Sequence, residues 1–269
     1  GAGIDIQNMA ISTQAAFNSV TVSNGSTQGI KVENVTGSQV TVGNPAGAAG
    51  SGGSITTTSV NNAIQLTNVT NVDINNVNIV GAGTAGVAIA HGASDANSMN
   101  VTLNGVEVTS AANQGIEVEA NNSNGLTLTS IDTTISAGVT SQGVELNVTD
   151  GNANVVFTNL TSAKAFKVDT STDAGLDISL NTSQINSTAL MDIDSPGAFN
   201  LSMTDTSLNT GNNDVAFTLN LGTQVSTDAG IRIQSSSGGS SSFQTGDAVA
   251  FAFNPNSNKT VNFLVSDVS

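Results

Sequence analysis

Glu117 and Glu145 stand at matching places in successive repeats of this chain, with Lys167 at the same place in the next. Paired carboxylates on neighbouring strands can act as general acid and base, or in glycoside hydrolysis when suitably separated. The same arrangement also describes a solvated ion-pair ladder. The chain has no Trp and no Tyr, so it lacks the aromatic platforms a carbohydrate cleft favours. Asp192 and Asp194 share a strand face, with Asp169 and Asp173 one repeat earlier, a hard-oxygen set that suits calcium. The G-G-x-G-x-D nonapeptide that binds calcium in other β-rolls is missing. His91, the single histidine, precedes Ser94 and Asp95. Residues so close in one loop rarely reach triad geometry, and no G-x-S-x-G surrounds the serine, so His91 is expected in an exposed loop. No catalytic, cofactor-binding or metal-ligating residue is assigned on these grounds, and the chain reads as a non-enzyme without cofactor.

The elements that would position these groups recur ten times. A short segment puts two apolar side chains on one face with one outward residue between them: Ile4/Ile6, Ile30/Val32, Ile64/Leu66, Val87/Ile89, Ile116/Val118, Val144/Leu146, Phe166/Val168, Met191/Ile193, Phe217/Leu219 and Phe251/Phe253. Successive pairs lie 22 to 34 residues apart, the signature of a solenoid with a fixed core motif and a variable remainder. A second apolar pair follows each first one, from Val20/Val22 and Val40/Val42 to Val261/Phe263. Less regular third segments follow, such as Val77/Ile79, Val106/Val108, Ile131 with Ile135, and Leu208. Period-two alternation of β-branched residues specifies strands with one buried face.

Gly or Ala precedes most first pairs, as at Gly29, Ala63, Gly86, Gly115 and Gly143, where a tight bend favours a small side chain. Asn-rich corners tolerate positive φ, and Asn34 and Asn68 are candidates for a coil-to-coil ladder. The pattern predicts an all-β, right-handed parallel β-helix of about ten coils forming one domain over residues 1–269. At one strand spacing per coil, ten coils make a rod about 48 Å long. An antiparallel sandwich explains the strand spacing but not the motif that returns once per repeat. The stretch from Ile6 to Phe17 is the one place where a short helix, capping the first coil, is conceivable.

Composition excludes several functions. Net charge is −15, from 20 acidic and 5 basic residues, so nucleic acid and anionic membranes are not expected partners. The absence of Cys excludes disulfides and thiolate metal sites. No apolar run is long enough to span a bilayer. The chain starts at Gly1 without a signal peptide and reads as a mature or excised piece of something longer. Four Thr among Thr21, Thr41, Asp73, Thr102 and Thr127 suggest an ordered-water array, as on ice-binding solenoids, although Asp73 interrupts it. The insertions Gly43 to Ser59, Ala90 to Met99, Asn220 to Ala229 and Gln234 to Ala248 are the better candidates for recognition.

G-I-x-V followed by N-V-T and V-T-V, as in Gly29 to Val42, resembles the right-handed parallel β-helix repeats of bacterial surface proteins, including autotransporter passenger domains and large adhesins. That resemblance implies export, an extracellular or cell-surface location, and binding or spacing rather than catalysis. The expected partners are a host or neighbouring-cell surface glycan or protein, with end-to-end self-association as a further possibility. Polysaccharide-acting enzymes with a β-helix are the alternative, although the basic and calcium-binding cleft residues of pectate-lyase-like enzymes have no counterpart here.

Overall fold

The computed structural model describes residues 2–57, 60–171, 174–187, 191–194, 197–210, 217–220, 229–237, 239–244, 251–254 and 261–266. Within them every sheet pairing is parallel, and no helix occurs. The chain is an all-β parallel solenoid. Eight consecutive turns, from the strand Ile4–Ile11 through Ser207–Asn209, are closed by strands of three sheets. Later strands, such as Phe217–Asn220 and Phe251–Asn254, keep the same pairings but are separated by residues outside this description. The described rod therefore has about eight complete turns, slightly short of the ten that the apolar pairs predict.

The first pair of each repeat builds the first sheet. Ile4 aligns with Ile30, Ile30 with Ile64, Ile64 with Val87, and the row continues through Ile116, Val144, Phe166 and Met191. Ile30, Ile64, Val87, Ile116 and Val144 are fully buried, and Phe157 meets Phe166 edge to face at 5.7 Å between ring centres. A rigid β-branched side chain standing off a pleated surface packs on its neighbour one rung away, so each turn supplies the next with a core.

Two corners explain the small and polar residues between strands. From third to first sheet the chain must pass close beneath third-sheet side chains. A Cβ on Gly115 would lie 2.7 Å from the Ile135 side chain and 2.6 Å from the Gly143 carbonyl, so the bend requires a bare backbone. From second to third sheet one residue per turn takes the left-handed conformation: Asn76, Gly105, Asp132, Asn159, Thr182 and Asp205, all with φ between 49° and 64°. Asn, Asp and Gly reach that region at low cost, and this is why they recur there. Asn8, Asn34 and Asn68 do the same within the first-sheet strands, with Asn34 Nδ2 donating to Asn8 Oδ1 at 2.9 Å and Asn68 Nδ2 to Asn34 Oδ1 at 3.1 Å. The expected ladder through Asn34 and Asn68 is present.

Three sequence readings are corrected. The segment conceived as a short helix is strand, Ile4–Ile11 followed by Ala15–Phe17. Val20 and Val22 belong to the third sheet, opposite Gly53 and Ile55, while the second strand of the first turn is Ala15–Phe17. Ile131 ends a second-sheet strand, leaving Ile135 as the inward third-sheet residue of that turn.

Candidate functional site

The outward row of the first sheet follows the predicted order, rung by rung: Asp5, Lys31, Gln65, Ala88, Glu117, Glu145, Lys167, Asp192. A second row, two residues along, reads Glu33, Thr67, Ala90, Glu119, Asn147, Asp169, Asp194. The two rows concentrate carboxylates around Lys167. Its Nζ lies 2.7 Å from Asp169 Oδ2 and 3.5 Å from Glu145 Oε1. The hydrogen bond it donates to Asp169 holds the pKa of the ammonium above its ordinary range, with Glu145 adding to the effect. Glu145 also accepts a hydrogen bond from Gln114 Nε2.

Among the described residues no cation pairs with Glu117. Burial pushes its pKa up, and the nearby charges of Glu119 and Glu145 push in the same direction. It forms one wall of a shallow cavity of about 150 Å³. Ala88 and Ala90 make the floor, Gln65 and Thr67 the opposite wall, and Glu119 stands beside Glu117. Small residues on one rung between long ones on both flanks cut a slot across the rod.

On the second sheet a larger open groove of about 580 Å³ runs past Asp177, Asn200, Ser202, Arg232, Asn262 and Leu264. Asn200 Nδ2 donates to Asp177 Oδ1 at 2.8 Å, and Arg232 Nε to Gln234 Oε1 at 2.7 Å. The Thr array does not assemble here as expected. Thr102 aligns with Thr129, Thr127 stands opposite Asn100, and Thr21 lies in the third sheet. Asp73 interrupts the row, its pKa pushed up by burial against the opposing effect of the Thr102 hydroxyl, and Val156 follows Thr129.

Of the calcium candidates, Asp169 and Asp194 are adjacent on one row and Asp192 lies beside Lys167, while Asp173 falls outside the described residues. Among the described residues no three His, Asp or Glu side chains cluster as a metal site.

His91 departs from its expected place. It ends the strand Val87–His91 pointing inward, opposite the small Ala120, and is only 1 % exposed. Its Nε2 lies 2.9 Å from the Asn97 carbonyl and 3.6 Å from Asp95 Oδ2, so it anchors the loop that follows. Ser94 lines a different small cavity, with Asp95, Asn34, Thr36 and Asn68. The neighbouring turns pin the same loop. Asn122 Nδ2 donates to the carbonyls of Gly92 and Asp95, both at 2.7 Å, and Asn124 Nδ2 donates to Asp95 O at 2.9 Å. Gly92 N donates to Asn68 Oδ1 at 2.7 Å, continuing the Asn ladder into the loop.

The earlier insertion is braced in the same manner. Asn76 Nδ2 donates to Asn44 O at 2.7 Å, and Gly52 N to Asn76 O at 2.9 Å. Within it, Gly53–Thr57 is a third-sheet strand, so the insertion proper ends at Gly52. Asn220 to Ala229 lies mostly outside the described residues.

The geometry defines a class: a parallel β-solenoid with charged and polar ladders and side-chain-braced loops. No protein-family model, curated protein or solved structure matches the chain. Its functional reading therefore rests on the residues themselves.

Proposed function

We propose that this chain is a non-enzymatic extracellular β-helical domain, acting as adhesin, passenger or stalk, which presents loops from a stiff rod to a cell-surface glycan or protein. The observation that carries this reading is the bracing of the loop Gly92 to Ser98. Five contacts, one from His91 of the loop's own turn and four from the two neighbouring turns, hold a polar loop in one conformation. A loop ordered before binding loses less conformational entropy on contact, which favours recognition. The acidic surface supports solubility and disfavours sideways aggregation.

Retention of the chain on glycan panels and on whole cells, compared between wild type and a variant with Ser94-Asp95-Ala96 replaced by a Gly-Gly turn, tests the proposal. Loss of binding with an unchanged melting temperature supports display through this loop. Binding that survives replacement of both braced loops would leave the spacer role.

A polysaccharide-acting enzyme is the second reading, favoured by Glu117, whose raised pKa beside Glu145 is what a general acid needs. Release of reducing ends or unsaturated sugars from a polysaccharide panel, abolished by Glu117→Gln, would replace the first reading with this one.

A further inference from the structure

Asn-Gly steps occur at Asn24, Asn104 and Asn124, and the last of them stands against the braced loop. Asn124 is exposed, and its Nδ2 donates to Asp95 O at 2.9 Å. The peptide that joins it to Gly125 is activated from one side. Ser98 Oγ donates to Asn124 O at 2.7 Å, which draws electron density from that peptide and makes the Gly125 N–H easier to deprotonate. The N–H itself makes a long hydrogen bond, 3.3 Å to Asn122 O. Gly125 has φ 83°, and among the described residues a Cβ placed there would meet Asn152 O at 3.3 Å and nothing nearer, so little crowds its nitrogen.

Asn104 offers a contrast. Gly105 N donates to Ile131 O at 2.9 Å, and a Cβ on Gly105 would lie 2.2 Å from Asn76 Oδ1. The backbone at that step is packed and firmly paired.

We propose that Asn124 is a site of spontaneous deamidation, and that its conversion releases the braced loop. Once deprotonated, Gly125 N attacks Asn124 Cγ. The N–Cγ bond forms, the Cγ–Nδ2 bond breaks, and Nδ2 leaves as ammonia with a proton from solvent. Water then opens the five-membered imide at either carbonyl, giving aspartate or isoaspartate. The net change is one water consumed and one ammonia released, with no oxidant or reductant. In either product the amide donor is gone and a carboxylate is present. Aspartate sets an acceptor oxygen against Asp95 O where Nδ2 had donated, so the contact turns repulsive. Isoaspartate adds a carbon to the main chain beside Asn122, whose Nδ2 holds Gly92 O and Asp95 O. Loop order therefore declines as the chain ages, a timer on recognition. That last consequence rests on the display reading, whereas conversion and loosening do not.

The test ages the 269-residue chain at mildly alkaline pH and follows each Asn-Gly step by peptide mass mapping. Asn124 should gain the mass difference between amide and acid about tenfold faster than Asn104, the factor that opening one further hydrogen bond commands. Asn24, in the first-turn strand Val20–Gly25, is read separately in the same map. Hydrogen exchange in Gly92 to Ser98 should accelerate in step with conversion at Asn124, and a directly made Asn124→Asp chain should exchange faster without ageing. Asn124→Gln, whose longer side chain closes an imide far more slowly, should keep the exchange of its own fresh sample. An aged chain intact at Asn124, or converted there no faster than at Asn104, would overturn the proposal. So would conversion that leaves loop exchange unchanged, or an Asn124→Gln chain that loosens equally with age. Retention on whole cells that persists after the loop has loosened would instead contradict the display reading and leave the conversion standing.

Discussion

Thr182 sits at φ 49° in a row of left-handed positions otherwise held by Asn, Asp and Gly. A β-branched side chain in that region is strained by about 1–2 kcal/mol. Below it, Asn159 Nδ2 already donates to Asp132 Oδ1 at 2.7 Å. Thr182→Asn relieves the strain and places a further amide on the ladder, so it is expected to raise the melting temperature by a few degrees. A lower melting temperature would show that this corner does not need an amide.

Glu117 acts in the opposite sense. Its folded-state pKa is raised, so its ionised form opposes folding once pH exceeds the ordinary value of 4.5. Glu117→Gln is therefore expected to melt above wild type at pH 7. The difference should shrink as acidification protonates the carboxyl, and vanish below pH 4.5. Thermal scans across pH 3–8 check the sign.

At the scale of elements, loops depend on side chains that belong to other turns. Asn122 is 2 % exposed, donates to two loop carbonyls, and accepts from Asn124 N at 2.8 Å. Asn122→Ala leaves two carbonyls of the loop without those donors and is expected to cost about 2–3 kcal/mol. Hydrogen exchange in Gly92 to Ser98 should accelerate far more than exchange in the strand Ile116–Asn121. Uniform acceleration would mean that the loop is held by something else.

This bracing was not legible in the sequence, because it links side chains to backbone carbonyls 27 to 30 residues away with no pattern of their own. The buried His91 was missed for a related reason. A polar residue at the end of a strand reads as loop unless one knows that Ala120 leaves it room. The first sheet, by contrast, was legible to the rung, since a small corner residue followed by two alternating apolar residues leaves one choice of face. The second sheet departs from the apolar pattern in several places, and Val261/Phe263, for one, aligns with Ala229/Ile231 rather than with Ile231/Ile233. Ala15 is a weak core signal, so Val20/Val22 took its place, and Thr127 was set beside Thr102 when the strand begins one alternation earlier.

At the scale of the whole molecule, each turn meets only its neighbours, and one translation relates residues far apart in sequence. Stiffness follows from three parallel ladders running the length of the described rod around a continuous apolar core. That stiffness is what display of braced loops requires, so the rung-by-rung register is the central claim. Because the chain has no Cys, spin labels can be placed at will. Asp5→Cys combined in turn with Glu117→Cys, Lys167→Cys and Asp192→Cys sets two labels four, six and seven rungs apart on one row. Pulsed electron–electron resonance should give separations rising linearly, near ~19, ~29 and ~34 Å, at one strand spacing per rung. Separations that fail to increase with rung number, as an antiparallel sandwich would give, would contradict the solenoid and the functional reading built on it.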